Sequence, residues 1–94
     1  MTDQQLNVTL AELTGFPADK LTPNYCNDAA ASLEVQAKAI EVSADKYVSN
    51  LDVIVNPDTI GDWTNDEIAK LLSATPRKRA EAAYMTLLPL REDI

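Results

Sequence analysis

The spacing of apolar side chains predicts helices along most of this chain. The clearest pattern lies near its end, where apolar residues recur at i, i+3, i+4, i+7 and i+8, the stripe of a helix with a period of 3.6; they are Ala80, Ala83, Tyr84, Leu87 and Leu88. Thr75 and Pro76 precede the stripe as an N-cap and a first helical position, because threonine can accept a free N–H and proline has none to leave unpaired. We expect this helix to be the central one.

The start of the chain also predicts a helix. Thr2 and Gln5 have the spacing of a capping box, and three leucines follow at i, i+4 and i+7: Leu6, Leu10 and Leu13. Gly15 stands where a glycine commonly ends a helix, and Pro17 disfavours its continuation. We therefore predict a helix over residues 3–14.

Residues 15–27 show no periodicity and contain two prolines, which indicates a loop. Leu21 and Tyr25 are expected to attach this loop to the core. Asn27 or Asp28 can cap the next helix. Its expected buried stripe is Ala30, Leu33, Ala37 and Ile40.

The segment 43–55 has two interpretations. Alternating apolar positions and several β-branched residues fit a strand over residues 46–55. A helix accounts for more positions, at i, i+1, i+4, i+7 and i+8; these are Tyr47, Val48, Leu51, Ile54 and Val55. Ser43 is a suitable N-cap, and Asp45 in the first turn suits the positive end of the helix dipole. We favour the helix and keep the strand as the alternative.

A final short helix is predicted between the loop that follows Asn56 and the break at Ala74. Thr64 or Asn65 can cap it, and it should run through Ser73. Its expected inward side chains are Ile68, Leu71 and Leu72. The sequence therefore predicts a mainly α fold, a single domain over residues 1–94 with four to five short helices. The alternative is an α+β fold with residues 46–55 as a strand.

The charge balance limits the class of partner. The chain has 15 acidic and 8 basic side chains and a formal net charge of −7. Such a surface repels nucleic acids and anionic lipids, so we expect neither direct nucleic-acid binding nor membrane binding. A partner protein with a basic surface is favoured instead. A lone cysteine cannot form an intrachain disulfide, and no signal peptide or membrane-spanning run is recognised, so a cytoplasmic setting is expected.

Residues for catalysis are scarce. The absence of histidine removes Ser–His–Asp and Cys–His catalysis and histidine metal sites. Cys26 precedes a predicted helix, but Asp28 nearby opposes a low thiol pKa, and we interpret it as a small buried residue. Two glycines leave no material for a glycine-rich phosphate loop. We expect a protein that is not an enzyme, with no catalytic residue, no metal and no cofactor.

The loop over residues 56–67 partly matches the spacing of an EF-hand calcium loop. Asn56, Asp58, Gly61, Thr64 and Glu67 fall at positions 1, 3, 6, 9 and 12. However, Ile60 occupies position 5, which should be a ligand. The favoured interpretation is a capped, solvated loop rather than a calcium site.

Two features are candidate binding groups. Arg77, Lys78 and Arg79 lie in the first turn of the last helix, where the helix dipole disfavours cations. They either pair with carboxylates of neighbouring helices or, with the free N–H groups of that turn, form an anion site. Trp63 is either a core residue, which we favour, or a binding anchor.

Two segments resemble paired motifs of small bacteriophage accessory proteins, sometimes described as phage ABA-sandwich-like. They are residues 23–28 (PNYCND), which lead into alanines, and residues 74–83 (ATPRKRAEAA). The resemblance implies a phage origin and the host cytoplasm, with no established enzyme activity. Such sandwich proteins have a β-rich centre, whereas residues 43–73 here are predicted to be largely helical. If the two motifs meet in space, Tyr25, Asn27, Arg77 and Arg79 are neighbours.

Two hypotheses of function follow. The first is a stoichiometric antagonist that occupies a basic surface of a host defence protein. The alternative is a homo-oligomeric sponge for a nucleotide signal, in which the helix start binds phosphates and an aromatic ring stacks on a base. The residues expected to bind an anion or partner are Arg77, Lys78, Arg79, Tyr25, Asn27 and Trp63.

Overall fold

Four helices form the described part of the chain. The structure, a computed structural model, describes residues 1–57 and 63–92, with side chains as far as Pro89. The helices are α1 (Asp3–Leu13), α2 (Ala29–Val55), α3 (Asn65–Leu72) and α4 (Pro76–Glu92). Within those residues there is no strand. The mainly α prediction is therefore confirmed, and the alternative with a strand over residues 46–55 is wrong.

The helices begin where the sequence predicted, because their N-caps are local interactions. Thr2 and Thr64 both form capping boxes. The Asp28 carboxylate accepts the N–H of Ala30 at 2.9 Å, and the Thr75 hydroxyl accepts the N–H of Lys78 at 3.3 Å. The first helix is followed by Gly15 with a φ of 75°, the left-handed conformation in which glycine carries no steric penalty.

The long helix α2 is bent at Ser43. That residue has extended backbone angles, φ −165° and ψ 102°, and its hydroxyl accepts the N–H of Lys46 at 3.2 Å. Ser43 therefore caps the second half of α2, as predicted. Tyr47 connects the two halves, since its hydroxyl donates to Gln36 Oε1 at 2.8 Å. Its ring is buried, and this burial raises the pKa of Tyr47 to about 12.

The central position of α4 is confirmed, because it contacts both α1 and α2. On the α2 side, Arg79 Nη1 donates to Ser32 Oγ at 3.0 Å, and Asn50 Nδ2 donates to Thr86 Oγ1 at 3.0 Å. On the α1 side, Arg77 pairs with Asp3.

A helix with neighbours on two sides buries more than one stripe. The fully buried alanines of α4 include two predicted ones, Ala80 and Ala83, and one that the stripe omitted, Ala82. Thr86 is buried as well and satisfies its hydroxyl by donating to Ala82 O at 2.8 Å. These small side chains allow the helix backbones to approach closely.

The predicted buried stripe of α2 is wrong. Ala30, Leu33, Ala37 and Ile40 are exposed, and the buried apolar residues of that half are instead Ala31, Val35 and Ala39. The helix carries two apolar stripes whose centres lie about 180° apart, on opposite sides of the helix. Periodicity predicts both stripes equally, but only the position of α4 determines which one is buried.

Three further inward assignments are wrong. Leu21 is 94% exposed, whereas Tyr25 is buried as expected. On α3, Ile68 and Leu72 are exposed, and Leu71 alone of the three predicted residues packs on the core. The short α3 contacts α2 and therefore has one narrow face to bury. No helix among the described residues is long and apolar enough to cross a membrane.

Candidate functional site

An apolar groove lies between α2 and α3. It encloses about 340 Å³ and is lined mainly by apolar side chains of the two helices and by Trp63, which precedes α3. Ile40, Trp63, Ile68 and Leu72 are exposed, Val48 and Leu71 are half-buried, and Tyr47 and Leu51 are buried; Gln36 is the polar side chain of the lining. Trp63 is 43% exposed and Leu72 is 79% exposed. The interpretation of Trp63 as a core residue is therefore wrong, and its ring is accessible to a partner.

The apolar pattern of the sequence includes the groove residues but predicts most of them in the core. The signal that could have identified them is the second apolar stripe of α2. A helix that packs on one side needs a single stripe, whereas α2 has Ala31 and Val35 on one stripe and Leu33 and Ile40 on the other. The stripe with Leu33 and Ile40 is the exposed one, and its last residue, Ile40, lines the groove.

The charged side chains beside the groove are acidic on its α2 side. Asp45 and Asp52 lie three residues before and four residues after Val48, so all three share one side of the helix. Lys46, two residues before Val48, lies about 160° away around the helix. Among the described residues, the groove lining itself contains no charged side chain, and the two carboxylates lie beyond its Val48 edge.

The basic helix start has a different arrangement. Arg77 Nη1 pairs with Asp3 Oδ1, and its Nε donates to Glu81 Oε1 at 2.7 Å. Its Nη2 donates to Met1 O at 3.0 Å. The hydrogen bond to Glu81, followed by that to Asp3, raises the pKa of Arg77 above its usual value. The guanidinium thus makes the carboxylate contacts that the first interpretation of the basic run required.

The two other cations of this run lie in different surroundings. Arg79 donates to Ser32 of α2, whereas the side chain of Lys78 is exposed. The N–H of Lys78 already bonds to the Thr75 hydroxyl. The proposed anion site included the N–H groups of Arg77 and Lys78, so one of its two backbone donors is used by the cap. The anion site stays a prediction.

The two motifs that carried the family resemblance meet in space. Asn27 Nδ2 donates to Asp3 Oδ2 at 3.2 Å, and Cys26 Sγ lies 4.0 Å from Arg77 Nη1. Asp3 therefore connects residues 23–28 to the start of α4. We call Asp3, Cys26, Asn27, Arg77 and Glu81 the N-terminal clasp.

Two of the other candidate residues lie outside the clasp. Tyr25 is buried and lines a shallow pocket of about 230 Å³ with Phe16 and Val35. Burial raises the pKa of Tyr25. Trp63 lies in the groove. The predicted site residues are thus dispersed: Asn27 and Arg77 lie in the clasp, Tyr25 in its pocket and Trp63 in the groove. Lys78 and Arg79 lie in none of the three, so Tyr25, Asn27, Arg77 and Arg79 do not form one site.

Cys26 has the environment of a structural thiol. It is buried and its Sγ donates to Asp3 O at 3.6 Å. Burial, and then the nearby Asp3 carboxylate, raise the pKa of the Cys26 thiol. A raised pKa lowers the thiolate fraction at neutral pH, which disfavours a nucleophilic role.

The calcium-loop hypothesis falls largely on residues 58–62, which lie outside the described residues. Of its described members, Glu67 Oε1 accepts the N–H and the hydroxyl of Thr64 at 3.3 and 3.0 Å in the capping box. Asn56 Nδ2 donates to Asp52 Oδ1 at 3.0 Å. Across residues 1–57 and 63–92, no cluster of three or more His, Cys, Asp or Glu side chains is arranged to bind a metal ion.

The clasp predicts a measurable coupling between Asp3 and Arg77. We expect Arg77→Gln and Asp3→Asn each to lower the free energy of unfolding by about 1 kcal/mol, because each removes the ion pair that connects α1 to α4. Urea denaturation of the double variant should give a coupling of about 0.5–1 kcal/mol.

Lys78→Gln is the matched control, since Lys78 is the neighbouring cation and is exposed. Its effect should stay within about 0.5 kcal/mol. If Arg77→Gln had no larger effect than Lys78→Gln, the clasp would contribute nothing to stability.

Comparison with known proteins gives no match: no family model, no curated protein and no solved structure matches this chain.

Proposed function

We propose that this chain is a non-catalytic binding protein that acts as a stoichiometric antagonist of a protein with a basic surface. The proposal rests on the excess of carboxylates over cations and on how few ion pairs the carboxylates form within the described residues. The chain has seven more acidic than basic side chains, and within the described residues both ion pairs are made by one cation, Arg77. The exposed acidic side chains include Glu12, Asp19, Glu34, Glu41, Asp45 and Asp66.

An acidic surface that is not neutralised within the chain favours association with a cationic partner. Complementary charge raises the association rate and disfavours partners of the same sign. The motif resemblance to small phage proteins is what supports a host protein, and a defence protein in particular, as the partner. The high pKa of Cys26 and the absence of histidine support a role without catalysis.

The alternative, a sponge for a nucleotide signal, has weaker support. Its phosphate site would use the helix start, where the Arg77 guanidinium already pairs with Asp3 and Glu81. A thermal-shift screen with nucleotides and cyclic dinucleotides separates the two functions, because a tight ligand stabilises the folded state in proportion to RT ln(1 + [L]/Kd). A melting temperature that rises with one of these nucleotides would support the sponge and contradict the antagonist.

The proposed function predicts a salt-sensitive complex. The immobilised chain should capture a basic host protein from lysate. After purification, that host protein should bind this chain with one-to-one stoichiometry. Its affinity should fall at least about tenfold between about 0.05 and 0.5 M salt, since exposed charges are screened. The measurement is a titration calorimetry series at increasing salt concentration.

Charge variants of α2 provide matched controls. The triple variant Glu34→Gln, Glu41→Gln and Asp45→Asn should lower the association rate. The variant Lys38→Gln with Lys46→Gln, on the same helix, should raise it. An affinity that is independent of both salt and these substitutions would show that the acidic surface does not engage the partner.

A further inference from the structure

We propose that the groove between α2 and α3 binds an amphipathic helix of the basic partner. The apolar face of that helix would fill the groove, and its lysine or arginine side chains would lie beside Asp45 and Asp52. This inference rests on the proposed function and deepens it, because it names the surface of this chain and the element of the partner that meet.

The apolar side chains of the groove are poorly covered by the described residues. Trp63 and Leu72 are 43% and 79% exposed, and Ile40 and Ile68 beside them are exposed as well. Isolated exposed apolar residues are common, but contiguous ones from two helices that surround one groove mark an interaction surface. Tryptophan is also among the residues that contribute most binding energy at interfaces.

The dimensions of the groove suit a helix of about two turns. Ile40 and Val48 both line it and are eight residues apart, which is about 12 Å along a straight helix and less across the bend at Ser43. Apolar anchors at i, i+4 and i+7 of a partner helix span about 10 Å. Helices that bind in grooves between helices use this spacing of anchors.

Charge complementarity determines which occupant the groove fits. Asp45 and Asp52 share one side of α2 with Val48, and Lys46 lies away from that side. A second copy of this chain would bring another net charge of −7 to the same surface. A helix with basic residues along the edge of its apolar face instead places opposite charges together. The groove is therefore a site for a basic amphipathic helix.

A pair of synthetic peptides tests this directly. Both have about 14 residues and leucines at i, i+4, i+7 and i+11; one has lysines beside the leucines and the other has glutamates. Trp63 is the single tryptophan of the chain, so its fluorescence reports on the groove alone. The basic peptide should shift the emission of Trp63 to shorter wavelength in a saturable, one-to-one titration. The acidic peptide should bind at least about tenfold more weakly.

Variants locate the binding surface. Ile68→Ala with Leu72→Ala should weaken the basic peptide at least about tenfold, because both side chains line the groove. Asp45→Asn with Asp52→Asn should reduce the preference for the basic over the acidic peptide. Leu21→Ala is the matched control, since Leu21 is an exposed leucine outside the groove, and it should leave binding unchanged. Circular dichroism checks that each variant is folded.

Three outcomes would overturn the inference: no Trp63 shift with the basic peptide, equal binding by the groove variants, or a shift that depends on protein concentration without peptide. The last would identify a second copy as the occupant.

The groove and the proposed function can fail separately. A groove variant that still captures the basic host protein in a salt-dependent manner refutes the groove and keeps the function. A chain that binds the peptide but captures no basic protein refutes the function.

Discussion

Replacing Tyr47 with alanine is expected to lower the free energy of unfolding by about 3–5 kcal/mol. Among the described residues, Tyr47 is the largest fully buried side chain. Its ring lies where the two halves of α2 meet, and its hydroxyl bonds to Gln36 across the bend at Ser43. The substitution both leaves a cavity and removes the hydrogen bond to Gln36. Urea denaturation followed by circular dichroism measures the loss.

Tyr47→Phe separates the packing of the ring from the hydrogen bond. It keeps the ring, so we expect a loss of about 1 kcal/mol at neutral pH. The advantage of the unmodified protein over Tyr47→Phe should disappear and then reverse in alkali, because the pKa of Tyr47 is raised to about 12 in the folded state and is about 10 in an unfolded chain. Stability from the neutral phenol is complete below pH 10 and is lost as the pH rises towards 12. A loss at Tyr47→Ala no larger than that at Tyr47→Phe would refute the role of the ring.

Replacing Ala82 with leucine is the second large expected effect, a loss of about 1–3 kcal/mol. Ala82 is fully buried on α4. It lies three residues after Arg79 and four before Thr86, both of which bond to α2, so it shares the face that meets α2. Extra methyl groups there must push the two helices apart or force strained rotamers. The loss appears as a lower urea midpoint.

Ala69→Leu is the matched control for that substitution. Ala69 is an exposed alanine of α3, so the same change should stay within about 0.5 kcal/mol. Equal midpoints for the two variants would show that the contact between α2 and α4 has room for a larger side chain. Helix propensity does not separate them, because both substitutions replace alanine with leucine inside a helix.

The groove follows from the same helix packing. α4 occupies the face of α2 that carries Val35 and Ala39, which leaves the opposite stripe with Ile40 uncovered. α3 then places Ile68 and Leu72 beside Ile40. A fold stabilised by α4 can thus expose apolar residues at the groove without losing its core. The partner-binding surface and the stable core use different faces of one helix.

The sequence by itself determined the helices and their starting points. Capping boxes at Thr2 and Thr64, the caps at Asp28 and Thr75, and the restart of α2 at Ser43 are interactions within three residues. Interactions of this range are present in the sequence pattern before any tertiary contact forms. The helical spacing over residues 43–55 also outweighed its β-branched residues, because it placed Tyr47 and Leu51 on the same buried face.

Only the tertiary structure decided which apolar residues are buried and which charges are paired. Periodicity defines stripes on a helix but does not specify the neighbour that covers them, so the buried stripe of α2, the exposure of Trp63 and the groove could not be predicted. The pairing of Asp3 with Arg77 joins residues 74 positions apart in the sequence. Such a pair exists only because α4 packs on α1, and its energy is small beside the burial that brings those helices together.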